Sequence, residues 1–323
     1  MSERSRAVFF GSPDFAVPFL EVVAAGTDLR AVVSQPDRPA GRGKQLHEPP
    51  VKIAARRLGV TVLQPEKIRT PDFEAVLRAH APEIFIVVAY GRILPPNLLA
   101  IPTLGPWNVH GSLLPGLRGA APIQWAIIRG ETRTGVAVMR MEAGLDTGPV
   151  AAVAETPIAD DDTAGSLSQR LSRLGAQLLD QVLPRIVAGA VTLAPQDDRL
   201  ATLAPPLTKQ DGHLDFAQPA RAVSARARGV DPWPGATAML DGEPIKLFRP
   251  RVVDVIGAGG TGGSTGAAVG VPGQVLGARP EGLIVACGDG AVAFGELQMP
   301  GRKRLPAAVV LNGRAIAAGV VLG

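Results

Sequence analysis

The pentapeptide Ile84-Phe-Ile-Val-Val88 has no polar side chain at any position. Successive side chains of a strand point to opposite faces, so a strand of this composition has to be covered on both sides. Helices packed on the two faces of a mostly parallel sheet provide such cover, and the rest of the chain must then supply them.

The chain begins in this way. Residues 7–10 form a short apolar run that leaves through Gly11-Ser-Pro-Asp14 and reads as a buried strand. Residues 15–25 carry apolar side chains at helical spacing and stop at Gly26. Residues 29–34 read as a second strand, which makes strand–helix–strand, the unit of a right-handed parallel crossover. Further on, residues 61–63, 83–89, 107–110 and 134–141 read as strands. Residues 51–58, 122–129 and 163–188 read as helices, as do 70–79, with Thr70 as N-cap and Pro71 at the first helical position. The alternation runs to about residue 190 and predicts a doubly wound, Rossmann-like parallel-sheet domain. In such sheets ligands bind at the carboxyl ends of strands.

Residues 35–50 interrupt the alternation. They hold four Pro, two Gly and the basic Arg38, Arg42 and Lys44, a composition that predicts a long loop without helix or strand. Beyond about residue 195 the character changes. Short apolar pieces at 236–240, 245–248, 273–276, 283–286 and 291–297 are split by Gly and Pro, an all-β pattern that predicts a small barrel. A chain of 323 residues exceeds one ordinary core. The reading is therefore α/β: a doubly wound domain over 1–190, a linker over 191–206, and a smaller C-terminal β-barrel, OB-like, over 207–323. Residues 257–270, rich in Gly, Ser, Thr and Ala, read as a flexible surface loop.

With 46% hydrophobic and 19% charged residues, the chain is globular rather than disordered. One cysteine, Cys287, excludes an intrachain disulfide and accords with a reducing compartment; its apolar surroundings read as packing. No apolar stretch has the length of a signal segment or the ~20 residues of a membrane span, so the expectation is a cytoplasmic protein. The net charge of +4 is unevenly placed: from residue 207 there are 12 basic and 9 acidic residues, and before it 21 and 20. A basic second domain, with Arg302-Lys-Arg304 clustered in it, suits an anionic partner such as nucleic acid; a merely solvated basic surface is the alternative. Scattered His and Cys give no metal-ligand spacing.

Two segments carry chemistry. In Trp107-Asn-Val-His110, the amide of Asn108 and the imidazole of His110 lie two apart on a strand and share a face. Together they can converge on one oxygen, as the stabilisation of a tetrahedral acyl intermediate requires; a structural polar pair at a strand end is the other reading. In Glu142-Ala-Gly-Leu-Asp-Thr-Gly148, Asp146 sits between two glycines just after a strand. It is placed either to orient an imidazole or simply to cap a turn.

Asn-x-His, then Ser112-Leu-Leu-Pro115, then an Asp 36 residues after the His, resembles the folate-dependent formyltransferase family. Further segments resemble in particular those members that act on charged initiator tRNA: Gln35-Pro-Asp-Arg-Pro-Ala-Gly-Arg-Gly-Lys44, Val88-Ala-Tyr-Gly91 with Leu94-Pro95, Arg118-Gly-Ala-Ala-Pro-Ile-Gln124, Gly144-Leu-Asp-Thr-Gly148 and Asp231-Pro-Trp-Pro234. The match departs at Gly116-Leu117, where those members commonly carry a basic and an aromatic residue. The resemblance implies transfer of the formyl group of 10-formyltetrahydrofolate to the α-amino group of methionyl initiator tRNA, for translation initiation, by a monomer without a metal. It implies that Asn108, His110 and Asp146 are catalytic. Ser112, Leu113, Leu114 and Pro115 would hold the folate, with the backbone of Val88, Ala89 and Tyr90. Arg38, Arg42 and Lys44 would meet the tRNA on one side, and Lys209, Arg249, Arg302, Lys303 and Arg304 on the other.

Three other readings were open to such a sequence. A nicotinamide dehydrogenase would need Gly-x-Gly-x-x-Gly after the first strand, where this chain has Gly11-Ser-Pro-Asp14. A formyltransferase acting on a small amine would not need the basic loop and basic β domain. A non-catalytic RNA-binding protein would leave Asn108, His110 and Asp146 a coincidence.

Overall fold

The structure is a computed structural model that describes residues 4–40, 45–253 and 270–323. The segment 257–269 of the expected surface loop, and Arg42 and Lys44 of the basic loop, lie outside the described residues. Two compact units emerge. One comprises residues 1–122, 134–156 and 168–205, the other 123–133, 157–167 and 206–323. Each is built from non-contiguous stretches, which a division drawn along the sequence cannot express. Residues 191–205 group with the first unit.

The first unit is organised by a seven-stranded sheet. Its strands are β1 (Arg6–Gly11), β2 (Asp28–Val33), β5 (Thr61–Leu63), β6 (Ile84–Val88), β7 (Pro106–His110), β9 (Arg133–Arg140) and β10 (Val150–Pro157), in the order β10-β9-β7-β6-β1-β2-β5. The chain winds from β1 outward to β5, returns to β6 on the other side of β1, and continues outward through β7. Five neighbouring strands are parallel. Every residue of β6 is buried, as its composition demands. One face is covered by α3 (Pro71–Ala79) and α4 (Pro96–Leu99): Phe73, Leu77 and Leu98 pack with Val8, Phe10, Phe85 and Val87. Thr70 caps α3 through its side chain, which accepts from the Phe73 amide at 3.3 Å, with Pro71 in the first turn.

The doubly wound, Rossmann-like reading holds with one refinement, and one further expectation needs correction. The sheet is mixed, since β9 runs antiparallel to β7, pairing Trp107 with Arg140 and His110 with Ala137. Alternation of strand and helix signals carries no direction, and an antiparallel strand toward one side of an otherwise parallel sheet is common. The segment after β2 is not free of strand either: β3 (Arg38–Ala40) and β4 (Gln45–His47) form a two-stranded antiparallel ribbon. In a ribbon both strands are edges, so Pro39 deprives no inner ladder of a donor. α2 (Pro50–Arg57) follows.

The second unit contains the sheet β12-β13-β16-β15-β14, formed by β12 (Ala236–Leu240), β13 (Glu243–Val253), β14 (Val275–Arg279), β15 (Gly282–Ala286) and β16 (Ala291–Gln298). The last residues of the chain bridge its two edges. Gly323 exchanges backbone hydrogen bonds with Met239 of β12, while the Leu322 amide donates to Gly273 and the Val275 amide of β14 to Val320. The ring of hydrogen bonds is thereby closed, which removes the exposed edges. The helix α7 (Ala220–Gly229), which the all-β reading of this half lacks, is also part of this unit. Among the described residues no helix is long and apolar enough to cross a membrane.

Candidate active site

The carboxyl end of β7 carries Asn108 and, two residues on, His110, which is 6% exposed. Asp146 arrives from the loop between β9 and β10. Its Oδ1 lies 3.4 Å from Asn108 Nδ2 and its Oδ2 lies 3.7 Å from His110 Nδ1. The amide, the imidazole and the carboxylate, which lie up to 38 residues apart in sequence, therefore meet at one point.

Local structure fixes each of them. The other imidazole nitrogen, Nε2, is 2.9 Å from the carbonyl oxygen of Leu117. A carbonyl only accepts, so Nε2 carries the hydrogen and Nδ1 is the nitrogen turned to Asp146. Leu117 itself is in the left-handed region, φ 59°, and its amide donates to Thr202 Oγ1 at 2.9 Å. Asp146 is also left-handed, φ 52°, a conformation that Asp tolerates better than most residues. Its Oδ2 accepts from the Gly119 amide at 2.8 Å. Gly119 belongs to β8 (Arg118–Gly119), which pairs with β11 (Leu203–Ala204). A Cβ at Gly119 would stand 2.6 Å from the Ala204 oxygen, and one at Gly148 would stand 1.8 Å from the Arg140 oxygen. Side chains at either place would push apart the strands that frame Asp146.

The side chains expected at a folate divide in a definite way. Ser112 is buried, and its Oγ donates to the Gly116 oxygen at 2.6 Å, tightening the loop. Leu113, Leu114 and Pro115 are half-buried. Leu114 and Pro115 line a cavity of about 340 Å³ together with Val150–Val153 of β10 and Ala194–Asp197. A larger concavity, about 470 Å³, is lined by Arg69, Thr70, Glu74, Ile93–Asn97 and Ala143, and by none of the three polar groups themselves. Val88 and Tyr90 turn into the core, and of the three residues there only Ala89, φ 47°, is exposed. The Tyr90 ring packs edge-on to Phe10; its hydroxyl is buried with no hydrogen-bond partner among the described residues, and burial pushes the phenol up to about 12.

Of the basic residues, Arg38 is exposed on β3. The ribbon that presents it is anchored at its base by Asp37, which accepts from Gln64 and from Lys52. These hydrogen bonds hold the Asp37 carboxyl below its ordinary range. In the second unit Lys209, Arg302 and Lys303 are exposed. Arg249 is exposed and 3.4 Å from Glu296. Arg304 has partners within the protein as well. Its guanidinium lies 3.0 and 3.1 Å from the two oxygens of the buried Asp231, bonds Glu296, and stacks 4.0 Å over the ring of Phe248. Cys287 is buried and its thiol is pushed up to about 12, chiefly by burial, which suits packing and not nucleophilic attack. Among the described residues no cluster of three or more His, Cys, Asp or Glu could hold a metal.

Sequence reasoning missed Gln196, whose Nε2 donates to the backbone oxygens of Asp146 and Gly148. It also gave no job to Arg118, which grips Gln196 and Asp198. Arg118 stood inside a motif, which was a usable signal. Gln196 stood in an irregular stretch that offered none.

The chain is similar to known proteins along nearly its whole length. The formyl transferase family model matches residues 6–183, and the model of the formyl transferase C-terminal domain matches residues 206–315. Curated relatives called methionyl-tRNA formyltransferase include that of Geobacter metallireducens, 44% identical over 98% of both chains, and that of Myxococcus xanthus, 47% identical over 98% of this chain and 97% of its own. Among solved structures the fold is similar to HypX from Aquifex aeolicus in complex with tetrahydrofolic acid (TM-score 0.63, 18% identity, covering 98% of this chain and 48% of that one). It is also similar to WlaRD, a sugar 3N-formyl transferase (TM-score 0.65, 14% identity, covering 94% of this chain and 100% of that one). With both family models matched in order along its length, and full-length relatives well above 30% identity, the chain belongs to the formyl transferase family.

Proposed function

We propose that this chain transfers the formyl group of 10-formyltetrahydrofolate to the α-amino group of methionine carried by initiator tRNA. The observation that carries the proposal is the meeting of Asn108, His110 and Asp146 at the end of β7, in a chain whose full-length relatives are named for that activity. We read the enzyme as a monomer in the cytoplasm; a single, buried cysteine and relatives called methionyl-tRNA formyltransferase support the compartment.

The neutral amine attacks the formyl carbon. A C–N bond forms and the carbonyl electron pair moves onto the formyl oxygen. Collapse of this intermediate breaks the bond to N10 of the folate, and the proton lost by the amine ends on N10. Asn108 Nδ2 and His110 Nδ1–H supply donors to the oxygen as its charge develops. Since Nε2–H is engaged by Leu117, a protonated ring has Nδ1–H to give. The 3.7 Å separation from Asp146 leaves that proton room for a substrate oxygen, while the carboxylate stabilises the charged ring. One donor of this kind contributes about 3 kcal/mol to the transition state. The folate rests on Ser112, Leu113, Leu114 and Pro115, and the backbone of Val88–Tyr90 reads the pterin edge. The apolar, half-buried faces of the first segment suit a flat ring. Arg38, Arg42 and Lys44 contact the acceptor end of the tRNA. Lys209, Arg249, Arg302, Lys303 and Arg304 follow its backbone, and Arg304 is steadied there by its pair with Asp231.

Labelled formyl-tetrahydrofolate offered with methionyl initiator tRNA, uncharged tRNA or small amines tests the reading. Label is expected on the charged tRNA alone. Transfer to small amines at a comparable rate, or near-normal kcat after His110→Ala, overturns it.

A further inference from the structure

The two family matches stop at residue 183 and resume at 206, and the sequence makes most of the interval a linker. Its hydrogen bonds say otherwise. Ala194 exchanges backbone bonds with Val150 at 2.8 Å each way. Thr202 receives the amide of Leu117 on its hydroxyl and that of Arg118 on its carbonyl. Leu203 and Ala204 pair with Arg118 and Gly119. Each contact falls on β8, on Leu117 just before it, or on the first residue of β10, the segments that flank the candidate catalytic groups.

From this we infer that Gln196 is a positioning residue for Asp146, acting from outside both matched ranges; the inference rests on the formyl-transfer reading of the site. One side-chain amide is shared between two partners of fixed polarity. Its Oε1 accepts from Arg118 Nε at 3.1 Å and Nη2 at 2.9 Å, and its Nε2 donates to the Asp146 oxygen at 2.8 Å and the Gly148 oxygen at 2.7 Å. A guanidinium has no acceptor and a carbonyl has no donor, so the amide has a single productive orientation. Arg118 is 6% exposed and is held in turn by Asp198 at 2.7 Å. Asp146 is thus clamped twice: at its carboxylate by the Gly119 amide and at its left-handed backbone by Gln196. Without the second clamp its φ of 52° has no hydrogen bond from Gln196 to hold it, and relaxation toward the ordinary region turns the carboxylate away from His110.

Gln196→Glu tests this. The variant has the same size and keeps an acceptor for Arg118, but it puts an oxygen against two carbonyl oxygens. The expected result is a ten- to hundredfold fall in kcat, since a displacement of about 1 Å costs that much, with KM for both substrates within twofold. The Gly119 amide proton, now in a charge-assisted bond, is expected to move upfield in the NMR spectrum. That resonance reports on Asp146 whether or not the wild-type protein formylates tRNA, so a failed activity assay and a failed clamp remain distinguishable. Gln196→Asn, which keeps the amide but is one methylene too short to span both partners, is expected to show a smaller change in the same directions and serves if the first variant does not fold. A kcat within twofold of wild type, or an unmoved Gly119 resonance, in the folded variant overturns the inference.

Discussion

Asp146→Asn asks the most of the proposed site, because it changes charge and leaves shape alone. The new side chain has two orientations. If its oxygen keeps the Gly119 amide, its NH2 replaces Oδ1 at 3.4 Å from Asn108 Nδ2, donor against donor. If it turns over, the NH2 opposes the Gly119 amide at 2.8 Å. Both misplace a donor, and both remove the charge that faces His110 across 3.7 Å. The two side chains are 6% and 13% exposed, so an effective dielectric of about 20 applies, and for the protonated ring that the proposed mechanism uses the Coulomb energy comes to about 4 kcal/mol. Part of that attraction acts before the chemical step. A differential loss between about 2 and 4 kcal/mol slows kcat by roughly thirty- to a thousandfold. Single-turnover transfer of labelled formyl to methionyl initiator tRNA reads the step directly, with a circular-dichroism melt as control. A folded variant whose single-turnover rate stays within fivefold of wild type would refute the assignment of Asp146.

Other consequences concern stability and binding. Tyr90→Phe removes a buried hydroxyl that has no partner, so a gain of about 1 kcal/mol and 2–4 °C in Tm is expected; a lower Tm would mean the hydroxyl is bonded. The same variant should flatten the alkaline loss of stability. Burial keeps the folded phenol protonated up to about 12 while the unfolded chain ionises near its ordinary value, so wild type is fully stabilised below that value and loses stability as pH rises toward 12. Arg304→Met strands the carboxylate of Asp231, whose side chain is 8% exposed, and should cost about 3 kcal/mol in a denaturant melt. Adding Asp231→Asn should recover part of that loss, and no recovery would mean that stacking on Phe248 dominates. Arg42→Ala should reduce the slope of log K against log salt for tRNA binding by about 1, and an unchanged slope places that residue off the phosphates.

The fold was largely legible because its strongest features are local. A run such as Ile84–Val88, apolar at every position, admits few environments, and Thr70-Pro71 marks a helix start by chemistry contained in four residues. What escaped was weaker or non-local. β10 is built from Val-Ala-Ala-Val-Ala-Glu-Thr-Pro, whose alanines give little strand preference, and α7 is an Ala and Arg helix introduced only by Pro219. The direction of β9 is not encoded in its own residues at all. The ribbon β3–β4 formed against its composition because two edges can accept a proline that a central strand cannot.

The site divides along the same line, and the division has a physical reason. Asn108, His110 and Asp146 declare their chemistry by residue type, and the β period aligns the first two. Their geometry, however, is enforced by hydrogen-bonding groups that look ordinary in the sequence. Leu117 contributes a carbonyl, Gly119 an amide, Thr202 a hydroxyl and Gln196 a carboxamide. A backbone amide is available at every non-proline position, so no pattern could single out Gly119 as the donor to Asp146. The useful trace is steric instead: Gly119 and Gly148 stand where a Cβ would meet the Ala204 and Arg140 oxygens. Glycines beside a candidate acid therefore mark where a distant strand passes close. Here one such strand is β11, placed by the segment that a linear reading discards as a linker.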